Sequence, residues 1–156
     1  MHKFVSYIWN RRFWVKALLL ALFASRTIYK NDYISAQWIA KQQEFVGTVN
    51  RHILDQKYYT VDKKTFEAMV KAGWSLRPKY LVDRFDCDDF TVAFKGRMAE
   101  LFGINSIGIM IDWGASHAYN IVILADGSVN AFEPQAGLWA ILGGEFYPCK
   151  DGVLIL

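Results

Sequence analysis

The chain has 156 residues, of which 53% are apolar and 16% aromatic, enough for one domain with a packed core. This composition excludes a disordered chain, and two cysteines are too few for a disulfide framework. Residues 1–32 carry six Lys and Arg against one Asp (+5), whereas residues 33–156 carry twelve against fourteen acids (−2). The body therefore has no basic groove, and we expect no nucleic-acid partner.

The basic N-terminal segment, residues 1–32, differs from the rest of the chain. Its apolar run from Phe13 to Ala24 is broken by Lys16. The run is about twelve residues long, short of the roughly 20 that span a bilayer. Three interpretations are open: a signal sequence or anchor, a membrane-surface or partner-binding helix, and a helix packed on the body. Residues 33–156 form the main domain in each of them.

Two helices are predicted before the middle of the chain. Apolar residues recur three, four and seven positions apart from Ile34 to Asp55, which predicts one long amphipathic helix. Ser35 is a suitable N-cap for it. A shorter helix begins at Asp62 or Thr65 and runs through Ala72.

A third helix is predicted from Cys87 to Phe102 and is closed by Gly103. Asp86 is its N-cap, and the apolar stripe begins at Phe90. The cysteine thiol therefore lies at the positive end of a helix dipole.

Four strands are predicted in the second half of the chain. The predicted strands are Ile107 to Ile111, His117 to Leu124, Ser128 to Phe132 and Val153 to Leu156, with a turn at Ala125-Asp126-Gly127. Because helices precede an antiparallel sheet, the predicted class is α+β.

Cys87, His117 and Glu133 follow one another in the order of a papain-type thiol enzyme. In that interpretation Cys87 is the nucleophile, His117 the general base, and Glu133 orients the imidazole. The alternative is a buried structural cysteine and a hydrogen-bonded histidine.

The length of one loop decides whether His117 and Glu133 can meet. A two-residue turn at Asp126-Gly127 would point them to opposite faces, because strand side chains alternate. A three-residue loop with Gly127 in a left-handed bulge pairs Leu124 with Ser128 and makes His117 and Glu133 diagonal neighbours on one face. The triad therefore predicts the longer loop.

The carboxylates beside Cys87 oppose thiolate formation. Asp88 and Asp89 either complement the helix dipole or hold a cation, and calcium suits neighbouring carboxylates. For the oxyanion, the sequence offers the backbone N–H of Cys87 but no glutamine shortly before it. A disulfide bond between Cys87 and Cys149 would remove the free thiol that a nucleophile requires.

The motifs Asp86-Cys87-Asp88-Asp89-Phe90, His117-Ala118-Tyr119-Asn120 and Glu133-Pro134-Gln135 resemble the C-terminal domain of the fungal mushroom agglutinin family. In that family a papain-like cysteine protease domain follows a carbohydrate-binding lectin domain, and stand-alone relatives occur in bacteriophages and bacteria. The resemblance implies a papain-like core over residues 33–156 with the triad Cys87, His117 and Glu133. It also implies calcium-dependent activation, with Asp88 and Asp89 as candidate ligands.

We therefore expect a cysteine hydrolase that cleaves peptide or isopeptide bonds in a protein or peptide substrate. One alternative is a thiol amidase on peptidoglycan. Another is an inactive structural or adaptor protein, for example a phage virion component, anchored to a membrane or a partner by residues 1–32.

Overall fold

The computed structural model describes residues 33–41 and 49–156, which form eight strands and three helices. The strands are β1 (Tyr33–Ser35), β2 (Asn50–His52), β3 (Lys57–Tyr59), β4 (Ile107–Asp112), β5 (His117–Ile123), β6 (Val129–Glu133), β7 (Leu138–Ala140) and β8 (Gly152–Ile155). The helices are α1 (Ala36–Lys41), α2 (Lys63–Gly73) and α3 (Cys87–Phe102).

A six-stranded sheet in the order β2-β8-β4-β5-β6-β7 is the centre of the domain. Its neighbouring strands are antiparallel, except that β2 and β8 run parallel. β1 and β3 form a separate antiparallel pair. The mixed α+β class is therefore confirmed.

Each face of the sheet is covered by its own apolar cluster, because side chains alternate along a strand. One cluster contains Val122 and Phe132 from the sheet together with α2 and α3, and its rings pack edge to face around Phe66. The other contains Tyr119 and Ile121 with residues from β1, α1 and β3. β5 is consequently buried on both faces.

Helix α3 has the predicted bounds and caps. Asp86 lies at the N-cap, and its backbone N–H donates to the carboxylate of Asp89 at 3.4 Å. Gly103 ends the helix at φ +69°, a conformation that glycine adopts without strain. Phe90 and Phe94 are buried, so the apolar stripe faces the sheet.

Helix α2 also follows the prediction, and its N-cap is Asp62. Replacing Asp62 by alanine should lower the free energy of unfolding by about 1 kcal/mol at pH 7, because the side chain caps the first turn. The Thr65 hydroxyl donates to Asp62 Oδ2 at 2.6 Å and the Thr65 N–H donates to Oδ1 at 3.0 Å.

These bonds, the hydroxyl first, lower the pKa of Asp62 in the folded state. The stabilisation is therefore complete above the unfolded pKa of about 3.9 and is lost as the pH falls through the lowered folded value. We expect the difference in free energy of unfolding between wild type and Asp62→Ala, measured by urea denaturation from pH 7 down to about pH 2, to vanish at acid pH. A difference that stays constant would contradict this account.

The hairpin of β5 and β6 has the longer loop that the triad requires. Ile123 pairs with Val129, and the Leu124 N–H donates to the Ser128 carbonyl at 3.0 Å. Gly127 takes φ +82°, so the three-residue loop closes with a left-handed glycine. The predicted register is confirmed.

The prediction of one helix from Ile34 to Asp55 is wrong. Residues 33–35 and 50–52 are strands, and α1 covers only Ala36–Lys41. Ser35 does accept a hydrogen bond from the Trp38 N–H at 3.2 Å, as an N-cap would. Residues 50–52 are extended because they pair in parallel with β8, where Arg51 faces Leu154. Ile39 and Val49 still contribute to the core. The apolar pattern therefore indicates which residues are buried, but it does not indicate one continuous helix.

The predictions for residues 1–32 lie outside the described residues. So does the middle of the incorrectly predicted helix, residues 42–48. In the described ranges, 33–41 and 49–156, no helix combines the length and apolar character that crossing a bilayer requires.

Candidate active site

His117 and Glu133 form a hydrogen-bonded pair at one end of the sheet. His117 is the first residue of β5 and Glu133 the last of β6, and His117 Nε2 lies 2.8 Å from Glu133 Oε2. The side chain of Glu133 is 12% exposed and that of His117 25%, so the pair is shielded yet reachable. The predicted contact between these two residues is confirmed.

Two further groups hold the Glu133 carboxylate. The Gln135 N–H donates to Oε1 at 3.0 Å, and the Tyr147 hydroxyl donates to Oε2 at 3.2 Å. Burial, followed by the nearby Glu133 charge, raises the pKa of Tyr147, so its hydroxyl remains a donor at neutral pH. The sequence analysis missed Tyr147, because it lies in an irregular tail with no periodic pattern.

A buried carboxylate, Asp112, is the partner of His117 in the pairing of β4 with β5. It is 1% exposed and accepts hydrogen bonds from the Tyr119 hydroxyl at 2.9 Å, the Cys149 N–H at 2.8 Å and the Ala115 N–H at 3.2 Å. The ring of Tyr119 lies 6.1 Å from that of His117. These bonds join Asp112 to the ring of Tyr119, which stands beside that of His117. The predicted strand ends at Ile111, one residue before Asp112, and only this position after a buried strand signals that Asp112 takes part in the network.

Cys87 is the first residue of α3, with a free, partly buried thiol. Two hydrogen bonds fix the direction of α3 along β5: Asn120 Nδ2 donates to the Thr91 carbonyl at 3.1 Å, and Lys95 Nζ donates to the carbonyl of Ile107, the partner of Val122. One turn along α3, from residue 91 to residue 95, therefore corresponds to a step from residue 120 to residue 122 along β5, so the two elements run in the same direction. The N-terminus of α3 consequently lies at the end of the sheet where β5 begins.

The thiol and the imidazole are not joined by a hydrogen bond in this structure, although both residues are described. Alternation places His117 on the face of Tyr119, whereas Asn120 faces α3. The two groups can therefore meet only around the end of the sheet, where His117 begins its strand. Nε2 is bonded to Glu133, and Nδ1 has no hydrogen bond to the described residues. The contact between Cys87 and His117 remains a prediction.

Carboxylates surround Cys87 as the sequence indicates. Ligand atoms of Asp86, Cys87 and Asp88 lie within 4.8 Å of one another. A hydrogen bond with Asp88 raises the pKa of Asp86, so the two carboxyls share one site. Asp89 instead accepts from the Asp86 backbone N–H. The structure thus groups Asp88 with Asp86 as candidate cation ligands, and the predicted role of Asp89 remains untested.

Cys149 does not compete with Cys87. Its side chain is buried, and this burial raises the pKa of the thiol to about 11. Both cysteines are free, so no disulfide bridge silences Cys87.

Comparison with known proteins identifies the family of this chain. The family model of the ricin-type β-trefoil lectin C-terminal domain matches residues 25–146. A solved structure described as a PSL1a–E64 complex is similar to 80% of this chain, with 20% identity and a TM-score of 0.63. The Polyporus squamosus lectin, solved with a human-type influenza-binding epitope, covers 59% of the chain with 25% identity and a TM-score of 0.49.

The chain spans 51% of the length of the PSL1a chain and 37% of that of the lectin. No curated protein matches it. The family match covers well over half of the chain and agrees with the agglutinin resemblance carried by the motifs at Cys87, His117 and Glu133. The chain belongs to the family of ricin-type β-trefoil lectin C-terminal domains.

Proposed function

We propose that this domain is a papain-like cysteine hydrolase of peptide or isopeptide bonds. The observation that carries the proposal is the 2.8 Å bond between His117 Nε2 and Glu133 Oε2, at the end of the sheet where α3 presents Cys87. The pair has the form of a general base oriented by a carboxylate. A structural neighbour with a similar fold was solved as a complex with E64. E64 is an epoxide reagent that alkylates thiolates, and it serves as a probe of Cys87 in the tests that follow.

The residues define the proton path. The Glu133 carboxylate holds the proton of neutral His117 on Nε2, so Nδ1 accepts the thiol proton of Cys87. The sulfur then attacks the substrate carbonyl carbon, and His117 returns the proton to the nitrogen as the C–N bond breaks. In the second half, His117 takes a proton from water, whose oxygen displaces the sulfur from the acyl group. The imidazole then gives this proton to the departing sulfur, which restores the Cys87 thiol. The Cys87 N–H at the helix start is the proposed oxyanion donor.

The test of this function uses two substrates in parallel. Wild type and His117→Ala are incubated with a quenched fluorescent protein substrate and with purified peptidoglycan. We expect wild type alone to cleave the protein. Release of peptidoglycan fragments without protein cleavage would replace the proposed substrate by cell-wall peptides. Activity on neither substrate would favour the adaptor alternative.

Tyr147→Phe should lower kcat by about three- to tenfold, because it removes one net hydrogen bond, worth about 1 kcal/mol, from Glu133. Tyr147 acts by positioning, since its hydroxyl contacts Glu133 and its ring lies 5.9 Å from that of His117. The measurement is kcat and KM of wild type and variant, and KM should hardly change. Tyr80→Phe, an exposed tyrosine outside this contact, is the control. Equal kcat for wild type and Tyr147→Phe would contradict the role.

A divalent cation is the second part of the proposal. Asp86 and Asp88 would hold calcium, whose charge would offset the carboxylates that oppose the Cys87 thiolate. These two carboxylates fit only part of a shell, since calcium takes six to eight oxygens and the third clustered atom is a thiol. Chelation should lower the alkylation rate of Cys87, and added calcium should restore it in wild type but not in Asp88→Asn. Alkylation unaffected by chelation would leave the aspartates as helix-end charges.

A further inference from the structure

A cleft of about 340 Å³ lies between α2 and the chain around β7. One of its walls is tied to the candidate active site, because Trp74 Nε1 donates to the carbonyl of Pro134 at 2.7 Å. Pro134 directly follows Glu133. The bond therefore fixes one wall of the cleft at the residue next to Glu133 in sequence.

The cleft has apolar aromatic walls. Trp74 and Phe132 are 5% and 2% exposed and line it together with Trp139, whose ring stands edge to face on Phe132 at 5.4 Å. Such walls suit a large apolar side chain, which would bury its surface against indole and phenyl rings.

The cleft also carries a net positive charge, with two cations and one carboxylate in its lining. Arg77 and Lys71 line it, and neither has an ion pair or hydrogen bond within residues 33–41 and 49–156. The acid in the lining, Glu67, accepts the Trp139 indole N–H at 2.9 Å, which orients its carboxylate but leaves its charge in place. Gly137 leaves room for the guanidinium, since a Cβ there would stand 3.2 Å from Arg77 Nη1.

We propose that this cleft is a specificity subsite for a peptide segment in which a large apolar residue stands next to an aspartate or glutamate. The apolar side chain lies between Trp74 and Trp139, and the neighbouring carboxylate meets Arg77 and Lys71. This inference deepens the proposed function by naming the class of peptide that the hydrolase selects.

The test is calorimetry on the full chain carrying Cys87→Ser, so that binding is measured without cleavage. The ligands are blocked tetrapeptides with the central pairs Leu-Glu, Leu-Gln, Leu-Lys and Ala-Glu. We expect Leu-Glu to bind on the order of tenfold more tightly than Leu-Gln, the range of a charge-assisted hydrogen bond. Ala-Glu should also bind more weakly, because it leaves the aromatic walls uncovered.

Charge reversal sharpens the test. Arg77→Glu should reverse the preference from Leu-Glu to Leu-Lys. Lys79→Glu should not, because Lys79 is an exposed cation two residues later that lies outside the lining. Indole Nε1–H resonances give the location: Trp74 and Trp139 should shift on titration, and Trp38, which lies beside Gly127, should stay.

Equal affinity for Leu-Glu and Leu-Gln, or equal effects of Arg77→Glu and Lys79→Glu, would overturn the subsite. This failure is distinct from that of the proposed function. If the protein cleaves substrates without any preference for acidic peptides, the subsite is contradicted and the hydrolase is not. If the protein binds Leu-Glu tightly but cleaves nothing, the hydrolase is contradicted and the subsite is not.

Discussion

Cys87→Ala should abolish hydrolysis, with kcat falling on the order of 10⁴-fold, because the proposed mechanism has no other nucleophile. The fold should persist, since the Cys87 side chain is only partly buried at the first position of α3. The measurement is the initial rate on the fluorescent protein substrate, together with the thermal midpoint of each protein. Retained activity in Cys87→Ala would contradict the central assignment.

Val92→Ala is the matched control for this variant. Val92 lies on the same helix and is 56% exposed, so its replacement should change neither rate nor stability appreciably. Peptide mapping after treatment with E64 adds a second readout. The adduct should lie on Cys87 and not on Cys149, whose buried thiol has a pKa raised to about 11. Labelling of Cys149 alone would be incompatible with the mechanism.

Asp112→Ala should be the most destabilising substitution at the site, lowering the free energy of unfolding by about 3–5 kcal/mol. The variant would leave the Tyr119 hydroxyl and the Cys149 N–H buried without an acceptor. An unpaired buried donor costs about 1–3 kcal/mol, and three groups donate to this carboxylate. Urea denaturation measures the effect.

Two controls separate this network from a simple loss of charge. Asp151→Ala removes an exposed carboxylate just before Gly152, the partner of Asp112 in β8, and should stay within about 0.5 kcal/mol of wild type. Asp112→Asn keeps an acceptor oxygen and should be milder than alanine. Equal free energies of unfolding for Asp112→Ala and Asp151→Ala would show that the hydrogen bonds to Asp112 do not stabilise the fold.

The candidate site was predictable where local rules decide it. Helix α3 carries its own start at Asp86 and its own stop at Gly103. The loop around Gly127 fixes the register of β5 and β6, and this register brings His117 to Glu133. These relations depend on neighbours in sequence or on one hairpin, so turn and cap chemistry is sufficient to derive them.

The remaining elements depend on distant partners. Residues 50–52 form a strand because they pair with β8, which lies about a hundred residues later in the chain. No local sequence pattern indicates this pairing. Tyr147 reaches Glu133 across an irregular tail, and Asp112 is recognisable only when Tyr119 and Cys149 fold onto it. Tertiary pairing overrode the helical spacing near the N-terminus for the same reason.

The most direct test of the account is the alkylation rate of Cys87 by E64 at pH 7, compared between wild type and His117→Ala by mass spectrometry. A free thiol with a pKa of about 8.5 is only a few per cent thiolate at that pH, so an imidazole that takes its proton should speed labelling on the order of tenfold or more. The account predicts that His117→Ala loses this advantage, while Val92→Ala keeps it. Equal rates in wild type and His117→Ala would show that the pair of His117 and Glu133 does not act on Cys87.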